Sequence, residues 1–145
     1  MLQPLIELYT RDLDNVIKDI SAYQNEEDLW KLDGDIKNSA GNLSLHLSGN
    51  LLHFIGHQLG GSDYVRDREN EFNAKGTPRK ELIEELEMAK SEISRVLSSI
   101  NASVLQTKVE GFRLDITWEG FLLHLYNHLG YHSGQINYHR RLLAV

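Results

Sequence analysis

Only two prolines occur in the chain, Pro4 and Pro78. Both stand where a helix can begin, because the N–H that proline lacks goes unpaired in the first helical turn anyway. Long stretches are thus free of the strongest helix breaker, and apolar residues recur along them at helical spacing. From Pro4 to about Tyr23 the series is Leu5, Leu8, Leu13, Val16, Ile17 and Ile20. Asn38 or Ser39 can cap a second helix containing Leu43, Leu45, Leu47, Leu51, Leu52, Phe54, Ile55 and Leu59, and Gly60-Gly61 ends it. Thr77, as N-cap, and Pro78, at the first helical position, open a third helix that runs to about Ile100. Thr117 is the expected cap of a fourth, beginning WEGFLLHLYNHLGYHSGQ.

Between these helices the pattern changes. Residues 24–36 are polar and read as a loop holding an anchor, Trp30. Residues 62–77 are charged and irregular, and 104–117 alternate loosely around Gly111, as in a short hairpin or an extended connection. Four helices of about 20 residues predict an all-α four-helix bundle, and the two long connections make a crossover topology plausible. A length of 145 residues fits one domain, 1–145, with 41% hydrophobic and 25% charged residues as in ordinary globular chains.

Composition excludes several chemistries. No cysteine is present, so the chain has no disulfide, thiolate metal site or cysteine nucleophile of its own. A net charge of -6 argues against phosphate-backbone binding as the main activity, so no nucleic-acid partner is expected. No apolar run approaches the roughly 20 residues needed to cross a bilayer, and MLQPLIELYTRDLDN does not read as a signal peptide. The expectation is a cytoplasmic protein without a membrane partner.

All seven histidines fall in two of the expected helices: His46, His53 and His57 in the second, His124, His128, His132 and His139 in the fourth. A helix turns about 100° and rises about 1.5 Å per residue, so residues four apart share a face one turn apart and can reach one ion. That spacing joins His124 to His128 and His128 to His132, but His124 and His132 lie about 12 Å apart along the axis. Spacing therefore leaves two candidate pairs. On the second helix His46 and His53 point the same way roughly 10 Å apart, so at most one of them completes a site on the fourth. Gly49, Gly130 and Gly134 sit inside apparent helices, where each costs about 0.8–1.0 kcal/mol relative to alanine. Close helix approach, or room for a ligand, would account for them.

The segment NSAGNLSLHLSGNLLHFIG, followed at a distance by HLGYHSGQI, resembles the DinB/YfiT-like superfamily of metal-dependent enzymes. The resemblance implies a four-helix bundle of up-down-down-up topology and a three-histidine site for a divalent metal such as nickel or zinc. By position, the implied ligands are His46, His128 and His132. Asn50, His53, His124 and Gln135 are candidates for the second shell or cavity. Three imidazoles leave open positions on the metal, which suits a hydrolase or a thiol S-transferase acting on a small-molecule substrate. With no cysteine in the chain, a thiol nucleophile would come from a low-molecular-weight cosubstrate such as bacillithiol or mycothiol, as in some relatives. The alternative is a non-catalytic metal-binding stress-response or interaction protein, its fourth position closed by His53 or His124. A homodimer is also expected from the resemblance. Phe121 and Leu125 read either as part of its interface or as core.

Overall fold

Five α-helices carry the chain in the computed structural model, which describes residues 2–144. The expected domain limits, 1 and 145, lie outside the described residues. Helix α1 spans Gln3–Ser21, α2 Ala40–Leu51, α3 Arg68–Asn73, α4 Arg79–Ser99 and α5 Trp118–Leu143. The described residues form no strand. A single antiparallel bridge, Lys108 to Thr117, closes the 104–117 connection around Gly111, whose φ of 71° suits glycine. No helix is long and apolar enough to cross a membrane among the described residues.

The apolar spacing read from the sequence becomes the core. Ile6, Tyr9, Leu13, Val16 and Ile20 form the buried stripe of α1, and Leu82, Leu86, Ala89, Ile93 and Val96 that of α4. Helix α1 packs on α4 and α5, and α2 packs on the same two from the other side. Each large aliphatic side chain buried this way stabilises the fold by about 1.5–3 kcal/mol. Phe121 and Leu125 belong to this core, so neither is available to an interface.

Helix α2 is enclosed all round: every residue from Ala40 to Leu51 is buried. Its even positions from Asn42 to Asn50 are polar or imidazole-bearing, and a step of two on a helix turns about 200°, so these groups point to both sides. Buried polar groups require partners, and neighbouring segments supply some of them. The Asn42 amide donates to the carbonyls of Glu71 and Ala74, and the Ser48 hydroxyl donates to the Glu85 carboxylate.

Of the two cap candidates for α2, Ser39 serves, its hydroxyl accepting from the Asn42 N–H. Other local expectations need correction. The second helix does not stay α-helical to Gly60: Leu52–Leu59 is π-helix. The 24–36 loop contains a 3-10 turn, Glu26–Trp30, and the Trp30 ring lies where a Cβ on Gly41 would be. Thr77 does not cap α4. Pro78 holds the N-cap position, and the Glu26 carboxylate accepts from the Arg79 N–H. The irregular 62–77 stretch folds in part as α3, capped by Asp67, whose carboxylate accepts from the Asn70 N–H.

Candidate metal centre

Helices α2 and α5 pack against each other, and this contact brings three imidazoles to one point. His46 Nε2 lies 3.0 Å from His128 Nε2, which lies 3.1 Å from His132 Nε2. One nitrogen from each of the three falls within 4.8 Å of the others. Nitrogens bound ~2.0–2.1 Å from a tetrahedral ion stand roughly 3.3–3.4 Å apart, and nearer as the angles close toward a right angle. The two separations at His128 suit such an ion.

Hydrogen bonds on the far side of two rings set their tautomers. The Glu71 carboxylate can only accept, so His46 Nδ1–H donates to it at 3.0 Å and Nε2 keeps its lone pair. His132 Nδ1–H donates to Gln135 Oε1 at 2.6 Å, with the same result. Both bare nitrogens face His128 Nε2. A proton there can serve one of them and leaves the other lone pair without a donor, whereas a cation satisfies all three. His128 Nδ1 is buried without a protein partner. Burial, then the neighbouring His132 and His46, pushes the His128 imidazole down to about 3, and burial also lowers His132. Neutral imidazole is the metal-binding form.

Glu71 and Arg66 are the residues that sequence reasoning missed. Glu71, 4% exposed, comes from α3. Burial raises its carboxyl, but bonds from His46 and Arg66 outweigh this and hold it below the ordinary carboxylate range. Arg66 grips it with two bonds, Nε to Oε2 at 2.8 Å and Nη2 to Oε1 at 2.9 Å. The available signal was Gly49. A Cβ there would strike the Glu71 carboxylate, so the helix glycine marks where that side chain enters.

The remaining candidates lie around the cluster. Asn50 is buried near it, and His124 stacks on Phe121 with ring centres 5.8 Å apart. His53 stacks on His57, 6.1 Å away, outside the cluster. His139 is a core residue bonded to Tyr23 and Lys31. Spacing left His124/His128 and His128/His132 open, and in the structure it is the second pair that converges with His46. Two cavities meet the cluster and share no lining residue. One of about 690 Å³ touches His132 and Gln135, and one of about 280 Å³ touches His46 and His128.

Fold and site thus define an all-helical protein with three converging histidines. The chain belongs to the family described as a protein of unknown function, DUF1572, whose sequence profile matches residues 3–144. It is similar in structure to a conserved protein from Enterococcus faecalis, with a TM-score of 0.76 and 16% identity over 99% of this chain and 96% of that one. At that identity the likeness concerns the fold alone. No curated protein matches the chain.

Proposed function

We propose that this protein is a metal-dependent enzyme of the DinB/YfiT-like type, holding one divalent ion through His46, His128 and His132. The observation that carries the reading is the set of three Nε2 atoms, two of them fixed as bare acceptors by Glu71 and Gln135 and aimed at one point. When bound, the ion supplies Lewis-acid chemistry, polarising a carbonyl or lowering the pKa of a water or thiol. Glu71 orients His46, as carboxylate partners of ligating histidines do. Gln135 does the same for the orientation of His132. The converging group contains three residues, and His53 and His124 stand outside it. This favours open coordination, hence catalysis, over a closed structural site.

The reaction class is hydrolysis or thiol S-transfer on a small molecule. In the second case the thiol comes from a cosubstrate, since the chain has no cysteine. Nickel or zinc is the proposed metal. The bundle, in which α1 and α2 each pack on both α4 and α5, is proposed to have up-down-down-up topology in one domain. We place the protein in the cytoplasm.

Titrating zinc or nickel against a competing chelator tests the centre. Alanine at His46, His128 or His132 should weaken affinity more than ~100-fold, and Glu71→Gln by about 10–100-fold, while His57→Ala leaves it unchanged. Parent-like affinity in His46→Ala would sink the assignment.

A further inference from the structure

We infer that the smaller cavity is a subsite for an organic oxyanion joined to an apolar body, with Arg68 and Arg113 holding the anionic end. The inference rests on the metal-centre reading only for what lies at the other end of the ligand.

Charge is the first observation. The chain is acidic, at -6, yet this cavity is lined by Arg66, Arg68 and Arg113 and by no carboxylate. Arg66 is spent on Glu71. Arg68 and Arg113 make no ion pair among the described residues. Each guanidinium instead lies over a phenyl ring, Arg68 over Phe72 at 5.1 Å and Arg113 over Phe112 at 5.7 Å. A guanidinium held over a ring keeps its N–H donors for an oxyanion.

A second, independent observation points to a ligand. Asn50 lines the same cavity and is only 8% exposed, and its Oδ1 is buried without a partner. A buried amide left unbonded is costly. The Asn50 oxygen is therefore an acceptor left for an occupant of this cavity. Phe54, Phe112 and Phe121 pack edge to face and tilted against one another, with centres 4.6–5.9 Å apart, and form the apolar wall. Two exposed arginines, three phenyl rings and an unpaired amide oxygen, lining one cavity with His46 and His128, specify an amphiphilic acid. Carboxylate and phosphate share the recognising chemistry.

Calorimetric titration of the zinc-loaded protein with benzoate, benzamide and inorganic phosphate tests this, with zinc affinity measured separately by chelator competition. Benzoate should bind about tenfold or more tighter than neutral benzamide, and tighter than phosphate, which lacks the apolar body. Arg68→Gln and Arg113→Gln, both exposed and outside the histidine cluster, should each weaken benzoate about tenfold and leave zinc affinity unchanged. Benzoate held equally by parent and both variants would overturn the subsite, since the anion would then be bound by the metal or elsewhere. Absence of benzoate binding, or equal binding of benzamide, would also overturn it. Repeating the series on zinc-free protein separates the two readings. Arginine-dependent benzoate binding there supports the subsite even if zinc fails to bind, and zinc binding with arginine-independent benzoate leaves the centre standing without it.

Discussion

Burial holds the His139 imidazole below its ordinary range, against the opposing pull of the Lys31 carbonyl. That carbonyl can only accept, so His139 Nε2–H donates to it at 2.8 Å, and Nδ1 accepts the Tyr23 hydroxyl at 2.6 Å. The ring is therefore neutral, and a second proton would displace the tyrosine donor. A histidine with a lowered folded pKa binds more protons when unfolded. Its contribution is fully present above the unfolded value, ~6.5, and is lost as pH falls through that value toward the folded one. His139→Gln removes this titration. Denaturation midpoints at pH ~8 and pH ~5.5 should differ less in the variant than in the parent, while the variant is weaker by about 1–2 kcal/mol at the higher pH through the disturbed Tyr23 and Lys31 bonds. An undiminished difference would show that His139 titrates as it does in the unfolded chain. The same residue type seven and eleven positions earlier on α5 serves the cluster, and only the surroundings separate the two roles.

Helix α2 and the short α3 meet where Gly49 leaves space for Glu71, whose carboxylate Arg66 pins from the other side. Gly49→Ala should therefore lower stability by more than ~1 kcal/mol and weaken metal affinity together, because the clash displaces the partner of His46. Gly130 on α5 has nothing within 4 Å of an added Cβ, so Gly130→Ala should instead raise stability by about 0.8–1.0 kcal/mol. Chemical denaturation of both variants checks the contrast, and effects of equal sign would refute it. Elements also mark what the sequence could tell. The long helices were legible because their apolar spacing is local, as were the caps Ser39 and Thr117. Helix α3, at six residues, is too short to show a period, and the π-helical turn after Leu51 has no composition of its own. Thr77 lost its expected role to Glu26, a partner from a distant loop that no local pattern reveals. In the site, spacing alone could propose the i,i+4 pairs, His46 entered through the family resemblance, and Glu71 lay hidden in a charged stretch.

At the scale of the whole molecule, the apolar core extends along α1, α2, α4 and α5 well beyond the three-histidine cluster. Chelation should leave the helical circular dichroism intact, and its collapse would favour a structural metal instead. We propose that the chain is a homodimer. With Phe121 and Leu125 in the core, support shifts to Leu123, Tyr131, Tyr138 and Leu142, which are exposed and share one face of α5. Sedimentation before and after chelation should give twice the 16.6 kDa chain mass, and a single 16.6 kDa species at micromolar concentration would exclude the dimer. Three of those four residues also line the larger cavity, the one that reaches His132. A partner seated there would roof that entrance and leave the arginine-lined one open. The residence time of the ion would then depend on protein concentration, with dilution freeing a second exit, while traffic of organic ligands through the other mouth would go on unchanged.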